Sequence, residues 1–139
     1  MRRDILEVAR AEFVENGLSG ARVDDIAAKT ATSKRMIYYY FGDKEGLYRA
    51  VLEGMYDRIR SFERSLDLDT LAPEEAIRRL TEATFDYHID NPDFVRMVMV
   101  ENVHHARHLR ASRTIADLNS SVVDVTRRIY ERGIAAGLF

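Results

Sequence analysis

The chain has 139 residues, 46% of them hydrophobic, with 2 prolines, 7 glycines, no cysteine and a net charge of −2. That length suits one domain with a real core, or a small head sharing a continuous helical body, and the order of patterns along the chain favours the second. The composition excludes disulfides and thiolate metal sites, a membrane span of roughly 18 uninterrupted apolar residues, and a nucleic-acid coat held on by bulk positive charge.

From the N-terminus, Met1-Arg2-Arg3 leads into no signal-peptide core, because Asp4, Glu7, Arg10 and Glu12 interrupt it. A cytoplasmic protein is the expectation. The same residues open a helix over about 3–16, with Ile5, Leu6, Ala9 and Phe13 on its inner face and Gly17 as its stop. A short helix follows, with Asp24 and Asp25 at its electropositive start and Ile26, Ala27 and Thr30 forming a small inward face that a second helix can cross closely.

That second helix opens near Ser33 and carries the most informative pattern in the chain. Ile37 and Phe41, four apart, share one face and can pack inward. Tyr38, Tyr39 and Tyr40 therefore cannot all be buried, and outward phenols beside Lys34 and Arg35 make an expensive surface unless something docks there. Rings, cations and a hydroxyl cap suit phosphates and base edges. The charge agrees: residues 29–49 hold five cations (Lys29, Lys34, Arg35, Lys44, Arg49) against Asp43 and Glu45, whereas residues 61–139 carry a net −3. A basic tip on an acidic body suits a specific reader of DNA.

Gly42-Asp43 breaks the chain, and Asp43 caps a long helix whose apolar stripe runs through Leu47, Val51, Met55, Ile59, Phe62 and Leu66. Pro73 with Glu74 and Glu75 has the form of a first helical turn, after which Ile77, Leu80, Thr84 and Tyr87 or His88 supply an inward face. Asn91-Pro92 starts a helix apolar nearly all round from Phe94 to about Val103, which predicts burial in the middle of a bundle. Ile115, Leu118, Val122, Val125 and Ile129 form the last stripe, ending near Gly133 and Gly137. The expectation is all-α: seven helices, no strands, an N-terminal three-helix head over 1–45 and a helical body over 46–139.

Ile5, Ala9, Phe13 and Gly17, then Val23-Asp24-Asp25-Ile26-Ala27, then Ser33-Lys34 to Tyr38-Tyr39-Tyr40-Phe41, then Lys44-Glu45 and Leu47 resemble the DNA-binding domain of the TetR family of bacterial transcriptional regulators. Two departures are local. Arg22 stands where the family usually places a capping Thr or Ser, and Ala31 stands at a turn position commonly filled by Gly, so the turn either avoids positive φ or carries modest strain. The resemblance implies a dimeric, ligand-responsive repressor binding a palindromic operator in double-stranded DNA. It places Lys34 and Arg35 at base edges, gives Tyr38 mixed base and phosphate contacts, and makes Thr32, Ser33, Tyr39, Tyr40 and Lys44 phosphate contacts that fix register. It also implies two further helices beyond Phe139, the dimer interface in most members, so the chain reads as a fragment.

The body offers Phe62, Thr84, His88, Met97 and His104 as candidates for a pocket taking a small apolar or amphipathic effector, though at helical spacing such residues are more often plain core. Glu101, His104 and His108 invite a rival reading, a helical-bundle metal protein or enzyme, since Glu101 and His104 make one Glu-x-x-His spacing. A di-iron bundle needs a second such pair, and none is present. With no nucleophile–base pair and no Gly-rich phosphate loop, neither an enzyme nor a cofactor is expected.

Overall fold

The computed structural model describes residues 1–139 and contains eight α-helices and a short 3-10 turn. The helices are α1 (Arg2–Gly20), α2 (Val23–Lys29), α3 (Lys34–Phe41), α4 (Lys44–Arg64), α5 (Pro73–Asp90), α6 (Pro92–Val103), α7 (Arg107–Ala111) and α8 (Arg113–Ala135), with the 3-10 turn at Leu68–Thr70. The chain forms two compact units, one from Met1–Gly54 with Asp93–Ser112, the other from Met55–Pro92 with Arg113–Phe139. Helix α4 contributes to both.

In the first unit the expected inner face of α1 is buried at Ile5, Ala9 and Phe13. Gly17 breaks that helix at φ 70°, a conformation that favours glycine, and one more turn carries the chain to Gly20. Ile26 of α2, Ile37 of α3 and Leu47, Tyr48, Val51 and Leu52 of α4 complete this core, with the Tyr48 ring edge-on to Phe13 at 5.2 Å. Arg22 precedes α2 without a side-chain cap, and no residue of the turn between α2 and α3 has positive φ, so Ala31 fits without strain. Buried Glu12 is held by the Lys29 ammonium, an ion pair that raises the Lys29 pKa chiefly through its hydrogen bond.

Helix α6 departs from its predicted burial. Phe94, Met97 and Glu101 are buried, whereas Met99 and Val103 are 63% and 74% exposed. Spacings of three and four give the helix one inward stripe, and apolar composition around the rest of its circumference does not create partners for the other faces. The seven expected helices also become eight. After α6 the chain passes through His105 and Ala106, both at positive φ, and starts the five-residue α7.

The second unit is built on Leu68, Ala76 and Ile129, with Leu66, Leu71, Ile77, Leu80 and Val125 packed around them. Helix α5 starts at Pro73 and buries two alanines, Ala76 and Ala83, leaving the larger Ile77, Leu80 and Thr84 half-buried beside them. Arg132 donates to the carbonyls of Leu71 and Leu68 at 2.8 and 3.3 Å, tying α8 to the 3-10 turn. No helix is long and apolar enough to cross a membrane.

Candidate nucleic-acid interface

Helix α3 is seated chiefly by one residue. Ile37 is fully buried and Met36 and Phe41 half-buried, while Lys34, Arg35 and Tyr38 to Tyr40 face outward. Ser33 caps it, its Oγ accepting from the Met36 amide at 3.2 Å. The hydroxyl proton of Ser33 is not used in that bond and stays available to an acceptor such as a phosphate oxygen.

All three tyrosines are exposed, Tyr39 to 79% and Tyr38 and Tyr40 to 37% each, which removes the core role that Tyr39 could have had. The Tyr39 and Tyr40 rings meet edge to face at 5.6 Å, and the Lys34 ammonium lies 5.9 Å from the Tyr38 ring centre. Lys34 also approaches Asp24 at 3.5 Å, an exposed pair that exchanges readily for another anion. Arg35 is exposed on the same helix. Thr32 and Tyr40 each direct a hydroxyl toward the Met1 sulfur at 3.9 Å, which places both near the N-terminal residue.

Lys44 opens α4, and its ammonium reaches the Ser19 carbonyl at 3.4 Å. The Asp43 carboxylate occupies the Gly46 amide at 2.7 Å, so the start of α4 presents a cation and a capping anion rather than bare amides. The basic tip is also partly neutralised from outside its own segment, since Lys29 pairs with Glu12 and Lys34 with Asp24.

The candidate effector residues are brought together only in part. Thr84 and His88 line one open cleft of about 520 Å³ in the second unit, with Glu63, Leu80, Phe85 and Val122. There the His88 Nδ1 donates to the Thr84 carbonyl at 2.7 Å, and buried Glu63 is clamped by both oxygens to Arg60 at 2.7 Å. Phe62 stacks on Tyr87 at 5.1 Å in the same unit; burial raises the Tyr87 phenol pKa. Met97 lies instead in the core of the first unit, and His104 is exposed there.

The rival metal constellation does not assemble either. Glu101 is buried and its carboxylate accepts from four donors: the backbone amides of His108 and Leu109 at 2.7 and 3.1 Å, the Tyr48 hydroxyl at 3.2 Å and His108 Nδ1 at 3.1 Å. Glu101 thus caps α7, and no three His, Asp or Glu side chains are placed to hold a metal ion. Burial first, and the Glu101 charge second, push the Tyr48 phenol pKa well up, so it stays the donor. Sequence reasoning missed Tyr48 because it reads as one more apolar position on α4.

A three-helix head whose second and third helices meet across the turn at residues 30–33 is a helix-turn-helix. Residues 5–51 match the family description "Bacterial regulatory proteins, tetR family", and residues 73–139 match "Tetracyclin repressor-like, C-terminal domain". The HTH-type transcriptional repressor NicS of Pseudomonas putida is 40% identical over 138 residues, which cover 99% of this chain and 65% of NicS. The HTH-type transcriptional repressor SCO4008 of Streptomyces coelicolor is 35% identical over 101 residues, 71% of this chain and 48% of that protein. Among solved structures, the TetR family transcriptional regulator PfmR from Thermus thermophilus superposes with a TM-score of 0.72 at 30% identity, covering 97% of this chain and 72% of PfmR. The chain belongs to the TetR family of bacterial transcriptional regulators. It spans two thirds or less of the length of these two curated relatives.

Proposed function

We propose that the chain is the DNA-reading and effector-sensing part of a transcriptional repressor, a regulator rather than an enzyme, which binds a palindromic operator as a homodimer in the cytoplasm. The observation that carries this reading is α3: one buried anchor, Ile37, presenting Lys34, Arg35 and Tyr38 to Tyr40 outward. In a helix-turn-helix the second helix enters the major groove with its N-terminal residues at base edges, which assigns Lys34 and Arg35 to bases. Tyr38 then contacts base and backbone, and Thr32, Ser33, Tyr39, Tyr40 and Lys44 hold phosphates. The division of labour is residues 1–45 for DNA and 46–139 for effector and partner. NicS and SCO4008, by their names repressors, support the sign of regulation.

The effector is a small apolar or amphipathic molecule, received by the cleft with Thr84 and His88 on its wall and the apolar faces of Leu80, Phe85 and Val122 beside them. A dimer must set its recognition helices about 34–36 Å apart to meet successive major grooves. An effector that prefers another spacing lowers DNA affinity by its differential affinity for the two arrangements. Helix α4, which begins in the head at Lys44 and ends in the body at Arg64, is the covalent link between the two functions.

The test is Arg35→Ala against a set of operator variants. Base reading predicts a loss of about 1–3 kcal/mol that disappears at one base position, because the guanidinium fork no longer discriminates there. An equal loss on every sequence assigns Arg35 to the backbone and removes base readout from this residue.

A further inference from the structure

The cations of the head are not equally committed. Lys29 is held by buried Glu12 and Lys34 approaches Asp24, so two of those around α3 already face a carboxylate. Arg2 lies outside the segment whose charge marks the basic tip, at the first position of α1. It is exposed, and its guanidinium carbon stands over the Phe41 ring, 5.0 Å from the ring centre. Phe41 is the last residue of α3. No hydrogen bond or ion pair within the protein engages the Arg2 donors.

Attraction to a ring face places a guanidinium without consuming its N–H donors. The ring contact therefore holds the Arg2 fork beside α3 and leaves it able to take two oxygens of one phosphate. The neighbouring residue adds a second tie. The Met1 sulfur lies 3.9 Å from the hydroxyls of both Thr32 and Tyr40, and the Ile5 amide donates to the Met1 carbonyl at 3.1 Å, which closes the first turn of α1. That turn thus adjoins α3 through Thr32, just before the helix, and through Tyr40 and Phe41 at its end.

We propose that Arg2 belongs to the DNA interface and holds a backbone phosphate beside those held by Thr32 and Tyr40. Consecutive phosphates of one strand are spaced about 3.4 Å along the duplex axis, so a cation adjoining the residues on one phosphate meets its neighbour. The contact fixes register and carries no sequence information. It rests on the reading of α3 as the DNA-reading helix, and it extends the footprint from α3 and Lys44 to the start of α1. Arg3 supplies the matched comparison: it is equally exposed and equally charged, and its side chain leaves α1 about 100° further round the helix.

The experiment measures binding of the full chain, Arg2→Gln and Arg3→Gln to a duplex enriched from a randomised library, over a series of salt concentrations. Arg2→Gln should weaken binding about tenfold on every duplex and lower the dependence of log K on log salt by about 0.9, with an unchanged circular dichroism spectrum. Arg3→Gln should do neither. A scan with neutral methylphosphonates then locates the contact: at one phosphate the substitution should weaken the wild type and leave Arg2→Gln unaffected. An unchanged salt slope in Arg2→Gln overturns the proposal. So do equal losses in the two variants, which would reflect net charge, and a scan in which no phosphate distinguishes the wild type from Arg2→Gln. A folded wild type that binds no duplex removes the DNA reading as a whole, an outcome distinct from a wild type that binds without using Arg2.

Discussion

Replacing Glu101 separates a helix cap from a mere ion pair, because its two natural substitutes fail differently. Alanine removes the acceptor for all four donors. Two of these are backbone amides at the start of α7, and the other two belong to Tyr48 and His108, which are 3% and 6% exposed. Each buried donor left without a partner costs about 1–3 kcal/mol, partly recovered where water enters the vacated space, so Glu101→Ala should cost about 4 kcal/mol. Glutamine keeps one oxygen for the two amides. Its NH₂ then faces Tyr48, whose hydroxyl can rotate to accept, and His108, whose hydrogen can move to Nε2 and leave Nδ1 to accept. Glu101→Gln should therefore lose only the charge assistance, about 1–2 kcal/mol. With a urea slope of about 2 kcal/mol/M, the midpoint falls by about 2 M for alanine and by about 0.5–1 M for glutamine. The nitrogen spectrum of the glutamine variant should show His108 in the opposite tautomer. Equal midpoints for the two variants would refute the capping argument, and an unchanged tautomer in a stable glutamine variant would refute the bonding scheme.

Lys44→Gln should weaken binding to every duplex alike and reduce the dependence of log K on log salt by about one, the signature of a single phosphate contact; an unchanged slope measured by fluorescence anisotropy removes Lys44 from the backbone contacts. Ser33→Ala removes the cap of α3 and should cost about 0.5–2 kcal/mol without DNA present, seen first as faster amide exchange at Met36. Tyr48→Phe tests the direction of a pKa. The folded state holds the Tyr48 proton more tightly than the unfolded chain, whose phenol titrates near 10.0, so its contribution to stability is complete below pH 10 and declines as pH rises beyond it. Above pH 10 the wild type should lose up to about 1.4 kcal/mol per pH unit more than the phenylalanine variant, and parallel curves would contradict the assignment.

What was legible in the sequence was local. Spacing alone put Ile37 inside and required at least one of the three tyrosines to face out, whereas the structure exposes all three; Gly17, Asp43 and Pro73 marked helix boundaries because each has a single physical reason to be there. Glu101 was not legible, since the partner that gives it a role is 53 positions away at Tyr48, and periodicity within one helix does not say which donors lie across from it. The burial of α6 was overestimated for the same reason: hydrophobic residues on every face leave the period without a phase, and only packing chose Phe94, Met97 and Glu101. Helix α7 escaped notice because its five residues, Arg107 to Ala111, follow a turn at positive φ that no glycine announces. Lys29 and Lys34 looked like free cations because Glu12 and Asp24 lie outside the segment whose charge was counted. The effector candidates scattered because hydrophobic spacing identifies faces, not which faces enclose a common space.

The central claim, that α3 reads DNA sequence, is tested most directly by selecting duplexes from a randomised library with the purified chain at near-physiological salt, in parallel with its Arg35→Ala variant. The account predicts a recurring half-site, alone or as an inverted repeat, in which the variant relaxes the preference at one base pair. A chain that is helical and folded by circular dichroism yet enriches no sequence would contradict it.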